Sequence, residues 1–288
     1  MKSGALEIFA PNTGMFKLDG GAMFGSVPKT LWEKAIPPDE FNRIPMALRI
    51  LVVKDSATKR NFLIDTGIGH KWTEKLEKIY AIDHSKDTLD QALKACGLSK
   101  VDITDVILTH LHFDHAGGAT EFDAQKRIVP TFPNATFYIQ KDNFDWATRP
   151  NSREVASYLA ENFQPLVDAK KLVVCDGVEG FENAIKHPAF SVRLSYGHTI
   201  GLQCPLITIG DQKFFYPSDL IPTSSHIPVP WVMGYDIHVI KILDEKEEIL
   251  KEALRDNWIM VYEHDPLIPA TRVAKGAKHF ERTAPVDV

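Results

Sequence analysis

The chain has 288 residues, of which 44% are hydrophobic and 25% charged, an ordinary balance for a globular protein long enough to bury a sizeable core. A net charge of −5 and a pI near 6.1 exclude a general attraction to nucleic acid or anionic membrane. No run of about 18 apolar residues occurs, and MKSGALEIFAPNTG at the N-terminus has no apolar stretch long enough for a signal peptide. The three cysteines, Cys96, Cys175 and Cys204, are widely spaced and odd in number. They argue against a disulfide framework and predict buried thiols in a reducing, cytoplasmic setting.

In chain order, residues 47–53 (ALRILVV) and 61–64 (NFLI) are apolar, β-branched runs either side of KDSATKR, and they predict a hairpin with a polar turn. Leu89, Ala92, Leu93 and Cys96 fall at helical spacing and predict a helix over residues 88–96, with Asp87 as N-cap and Gly97 as stop signal. Val106, Ile107 and Leu108 form a wholly apolar run, as in a buried strand, and residues 134–139 read as another. Val155, Tyr158, Leu159 and Phe163 share one face of a helix expected over residues 154–163. Strands are then expected at 190–195, 202–209 and 213–216, the last two joined by Gly210-Asp211, a strong hairpin signal. Residues 244–254 read as an amphipathic helix whose EKEE run is a solvated face, and 257–262 as a closing strand. No repeat and no linker-like break divides the series. The expectation is two packed sheets covered by helices in a single domain, 1–288.

The strand at 106–108 runs into THLHFDHAGG, which places His110, His112, Asp114 and His115 within six positions. Side chains alternate along a strand, so His-x-His presents both imidazoles on one side. Asp114 and His115 lie on the following turn, where the backbone redirects them, and Gly117-Gly118 permits that turn and a close start to the next helix. A lone loop histidine is ordinarily solvated, but four such residues behind a buried strand read as two adjacent ligand sets, His110/His112 and Asp114/His115. Imidazole and carboxylate suit zinc, with manganese, iron and cobalt as alternatives. Completion has to come from elsewhere, and His198 in YGHTIG, Asp219 in FYPSDLI and His264 in VYEHDP each follow an apolar run.

With Asp65 in LIDTGIG upstream, these residues resemble the metallo-β-lactamase superfamily from about residue 48 to residue 265. The resemblance implies an α/β fold, an αββα sandwich with a dinuclear centre at one sheet edge. It assigns His110, His112 and His198 to the first of two divalent ions, and Asp114, His115 and His264 to the second. Asp219 would bridge the two, and Asp65 would orient the site from behind the ligands. Zinc is the expected metal, with a bridging hydroxide as nucleophile and Asp114 handling a proton. The absence of GxSxG and GxxxxGK[ST] agrees with hydrolysis that uses no protein nucleophile.

Asp219 stands where true β-lactamases carry Cys, which argues against antibiotic hydrolysis. Only 24 residues follow His264, too few for the helical domain of glyoxalase II-like thioesterases. An acidic chain argues against an RNase Z-like nuclease. GGAMFGSVPKTLW and the gap of 83 positions from His115 to His198 resemble the lactonase and methyl-parathion-hydrolase-like branch. Pro222 stands where homoserine lactonases of that branch place a tyrosine. The expectation is a hydrolase of a small lactone, ester or phosphotriester-like molecule, with no nucleic-acid or membrane partner and a homodimeric state. The alternatives are a non-catalytic metal-binding or sensor protein on the same fold, or a nuclease or thioesterase of the superfamily; seven competent ligands disfavour a degenerate binder. Phe24, Trp32, Phe113, Trp231 and Tyr235 are candidates for an apolar pocket wall, residues 1–45 an extension serving the pocket or a dimer contact, and His226 and His238 pocket or surface residues rather than ligands.

Overall fold

The computed structural model describes residues 1–288. Seven strands form one sheet in the spatial order Lys2–Ser3, Leu6–Phe9, Leu51–Asp55, Arg60–Ile64, Asp105–Ile107, Thr136–Gln140 and Leu172–Cys175. The last four run parallel. Six strands form the second sheet, in the order Phe190–Ser195, Leu202–Ile209, Gln212–Phe215, Ile259–Val261, Ala270–Lys275 and Phe280–Pro285. Its single parallel pair, Gln212–Phe215 with Ile259–Val261, is the one spanned by the long helix Val239–Arg255, since parallel neighbours need a crossover.

Period-two alternation sorts the strand residues into layers. Leu51, Val53, Phe62, Ile64 and Ile107 face Val192, Ile207, Phe214, Tyr216 and Ile259 between the sheets. Their neighbours Val52, Leu63 and Val106 face outward against Ala92 and Leu93 of the helix Leu89–Ala95. On the far side Phe215 and Met260 pack against Ile242, Ile249, Leu250 and Ala253 of Val239–Arg255. The result is the expected four-layer αββα sandwich, and the run 50–53 is continuously apolar because both faces of the sheet are covered.

Several local expectations change. Residues 47–53 divide between two strands: Arg43–Arg49 pairs with Asn12–Asp19, while Leu51–Asp55 makes the expected hairpin with Arg60–Ile64. The helix Leu89–Ala95 is capped by Thr88, whose hydroxyl accepts from Gln91 N at 3.2 Å; Asp87 instead accepts from Asn12 Nδ2. No α-helix forms over 154–163. The Asn151 side chain takes the N–H groups of Arg153 and Glu154, and Ser157 O accepts from Phe113 N, so this backbone is committed elsewhere. The EKEE run is only partly solvated: Glu247 and Glu248 are exposed, but Lys246 is buried. Residues 12–49 fold beside the mouth of the sandwich around Phe16, Phe24, Trp32 and Ile44. No helix is long and apolar enough to cross a membrane.

Candidate metal centre

The site forms where strand ends from both sheets meet. Asp105–Ile107 leads into the 109–118 motif from the first sheet, and His198, Asp219 and His264 follow Phe190–Ser195, Gln212–Phe215 and Ile259–Val261 of the second. Two backbone positions take left-handed conformations to aim these side chains: Asp65 at φ 56° and Ser218 at φ 49°, both buried. Such conformations cost energy in non-glycine residues and concentrate at functional sites. Gly117 and Gly118 serve close approach rather than an unusual φ. A Cβ on either would run into the backbone carbonyls of Ile68 or Thr66, so the motif could not dock on the strand end carrying Asp65.

The predicted residues assemble into two groups, His110, His112, His198 with Asp219, and Asp114, His115 with His264. In the first, His112 Nδ1 lies 3.0 Å from His110 Nε2 and 3.2 Å from His198 Nε2. In the second, His115 Nε2 and His264 Nε2 are 3.3 Å apart, with Asp114 Oδ2 at 3.7 Å from His264 Nε2. Asp219 stands between them. Its Oδ2 is 3.2 Å from His198 Nε2 and 3.4 Å from His115 Nε2, and its Oδ1 is 3.2 Å from His264 Nε2.

The outer nitrogen of most imidazoles is occupied, which leaves the inner one free to ligate. His115 Nδ1 bonds Asp65 Oδ2 at 3.0 Å, His198 Nδ1 bonds Asp236 Oδ1 at 3.0 Å, and His264 Nδ1 donates to Ala47 O at 2.8 Å. Asp65 also accepts from Thr109 N and Thr109 Oγ1, each at 2.7 Å. The Thr109 hydroxyl in turn contacts His110 Nδ1 at 3.1 Å. His112 is turned the other way, with Nε2 3.6 Å from Glu154 Oε1.

These residues fit divalent metal binding. Five imidazole nitrogens crowd at hydrogen-bond distance in the two groups, and buried Asp219 Oδ1 accepts no hydrogen bond. The donor set of imidazole and carboxylate is that of zinc and its first-row neighbours. Burial opposes charge at His115, yet Glu263, Asp219 and Asp114 hold it well above the usual histidine range. Burial and the neighbouring imidazoles hold His110 well below it. Asp219 is kept far below the ordinary carboxylate range, because His115, His198 and His264 outweigh its burial.

A cavity of about 370 Å³ opens onto the group, reached by His112, Asp114, His198, Asp219 and His264. Its apolar wall is Leu18, Met23, Met46, Tyr80, Phe113, Met233 and Tyr235. Of the five aromatics singled out in the sequence, only Phe113 and Tyr235 line it. Phe24, Trp32 and Trp231 lie behind that wall: Phe24 stacks on Trp32 at 5.3 Å and on His226 at 4.6 Å, and Trp231 meets it edge-on. His226 is buried, donating from Nε2 to Met23 O and accepting at Nδ1 from Thr223 Oγ1; His238 Nδ1 bonds Tyr196 O at the surface. Sequence reasoning missed Glu154, Asp236 and Glu263, the carboxylates behind the imidazoles. Glu263 had a local signal in VYEHDP beside His264. It is fully buried 2.8 Å from His115 Nδ1, and burial pushes its carboxyl up to about 8 against the opposing charge of His115.

The sequence pattern of the metallo-beta-lactamase superfamily matches residues 50–264, and the chain belongs to that superfamily. Among curated relatives, an N-acyl homoserine lactonase AttM of Azorhizobium caulinodans is 30% identical over 175 residues, covering 60% of this chain and 62% of the relative. That of Rhizobium johnstonii is 23% identical over 187 residues, covering 64% and 66%. The chain thus spans about two thirds of the length of the curated relatives it matches. Among solved structures, a probable metal-dependent hydrolase from Staphylococcus aureus superposes with a TM-score of 0.86 at 28% identity, covering 99% of this chain and all of the other. AidC, a dizinc quorum-quenching lactonase in complex with a product, gives 0.79 at 25% identity, covering 100% and 97%.

Proposed function

We propose that this protein is a dinuclear metal-dependent hydrolase that opens small lactones, with N-acyl homoserine lactones as the first substrate class and activated esters and phosphotriesters as further ones. The observation that carries the reading is the Asp219 carboxylate, one oxygen against His198 and His115 and the other against His264, at the floor of a largely apolar cavity. His110, His112 and His198 would hold one divalent ion and Asp114, His115 and His264 the other, with Asp219 shared; zinc suits this donor set. When bound, such a pair supplies Lewis acidity toward the substrate carbonyl and a water acidic enough to attack it near neutral pH. The residues of the chain do the rest. Asp65 and Asp236 fix the orientations of His115 and His198 from outside, and Glu154 faces His112 Nε2. Asp114, at the cavity surface, takes the proton of the attacking water and returns it to the alkoxide released as the ring opens. Leu18, Met23, Met46, Phe113 and Met233 form an apolar lining for an acyl chain. We take the chain as one catalytic domain, and its three buried, unpaired cysteines support a reducing, cytoplasmic setting.

The test is a panel of lactones of graded acyl length, aryl esters and phosphotriesters on metal-reconstituted protein, with Asp219→Ala in parallel. The wild type is expected to hold about two metals per chain and hydrolyse lactones best, and the variant to lose activity by about a thousandfold or more together with metal content. A two-metal wild type inert on the whole panel would overturn the function, and undiminished turnover by Asp219→Ala would overturn the shared-ligand assignment.

A further inference from the structure

The helix Val239–Arg255 buries Ile242, Lys246, Ile249, Leu250 and Ala253, so a lysine occupies the middle of an apolar stripe. Lys246 is 1% exposed, a burial that lysine tolerates only with strong compensation. Its compensation comes from one segment: Nζ donates to Pro228 O at 3.1 Å and to Trp231 O at 2.6 Å. That segment is poor in backbone bonds of its own. Pro228 and Pro230 have no N–H, and across residues 228–232 the single backbone pairing is Trp231 N to Pro228 O. Directly beyond it, Met233 and Tyr235 line the metal-site cavity and Asp236 bonds His198. Other ties grip the segment's flanks. His226 and Gly234 bond Met23 O and Ala22 O, and Arg153 reaches Gly234 O. Val229 and Val232 pack against the apolar cluster beneath, and Lys246 supplies the hydrogen bonds that join the segment's centre to the helix on the second sheet.

We infer that Lys246 is a positioning residue: by holding Pro228 and Trp231 it sets how closely the wall carrying Met233 and Tyr235 stands to the metal centre, and so governs binding of the substrate's apolar part. The inference rests on the hydrolase reading above. Burial pushes the Lys246 ammonium down to about 7, with only Asp236 opposing. A neutral amine still offers two N–H groups to two carbonyls, so the hold survives loss of the charge.

The test is Lys246→Met, which keeps length and suits the stripe but donates nothing, in two measurements. In hydrogen–deuterium exchange, residues 228–236 should exchange faster while 239–255 stay protected. In kinetics on lactones, KM for long acyl chains should rise roughly tenfold, the worth of one or two hydrogen bonds, while kcat and metal content hold. The rise should shrink as the acyl chain shortens. A fall in kcat at unchanged KM would overturn the inference, since it would place the effect at His198 rather than at the wall. Unchanged exchange would overturn it as well. If the wild type hydrolyses nothing on the panel, the hydrolase reading fails separately, and the exchange measurement decides alone whether Lys246 holds this wall.

Discussion

Asp65 concentrates several tasks in one side chain. It sits at a positive φ, fully buried, and its two oxygens accept from Thr109 N, Thr109 Oγ1 and His115 Nδ1. Asparagine tolerates the same backbone conformation, so Asp65→Asn separates strain from hydrogen bonding. Its amide nitrogen would replace one acceptor with a donor, facing either the Thr109 donors or the His115 Nδ1–H. We expect metal content to fall toward one ion per chain and turnover to drop by about 10- to 100-fold, as is usual when the group behind a ligand is altered. Elemental analysis beside kinetics checks this, and full metal loading in the variant would refute it. At this scale the motif residues were legible because their relation is local: two residues along a strand and a turn. Asp236 was not, because 38 positions separate it from the His198 it holds and an aspartate in a loop carries no mark of its partner.

At the scale of elements, the segment 222–236 is fastened from both sides. On the N-terminal side the fastener is His226, locked as the neutral Nε2–H tautomer by Met23 O and the Thr223 hydroxyl. Burial pushes its imidazole down to about 3. The folded pKa thus lies below the unfolded value near 6.5, so below pH 6.5 the unfolded chain takes up a proton that the folded one refuses. Stability from this residue is full above about pH 6.5 and lost as pH falls toward 3, at up to about 1.4 kcal/mol per pH unit. His226→Gln should flatten the acid limb of the melting temperature between about pH 4 and pH 6.5 relative to wild type. Identical pH profiles by differential scanning calorimetry would exclude His226 as the source. The strands of the sandwich were readable from alternation and apolar runs. The helix expected over 154–163 failed at this scale: a helical period is present, but Asn151 and the carbonyl of Ser157 give the local backbone other partners.

For the whole molecule, the centre links the two sheets. The first sheet supplies His110, His112, Asp114 and His115, and the second supplies His198, Asp219 and His264, so each ligand group draws on both. Ions bound there stabilise the folded chain alone, by an amount that grows with the ratio of free metal to dissociation constant. Chelation should therefore lower the melting temperature by several degrees, zinc should restore it, and Asp219→Ala should show a much smaller chelator response. A melting temperature indifferent to chelator would argue against ions bridging the sheets.

The sequence by itself determined the class of protein and pointed to the residues that cluster as candidate ligands. HxHxDH is a local pattern, and strand ends marked by apolar runs point to His198, Asp219 and His264 without any knowledge of distance. Only the tertiary structure decided which side chains stand behind those ligands and which face the cavity. Phe24, Trp32 and Trp231 looked equivalent to Phe113 and Tyr235 as aromatics near motifs, yet packing places the first three in an aromatic cluster behind the wall. Lys246 in a charged run looked solvated, yet its helical phase sets it inward under a proline-rich segment whose carbonyls it satisfies. Burial and partnership over long sequence separation arise from how layers pack, and no window of sequence contains them.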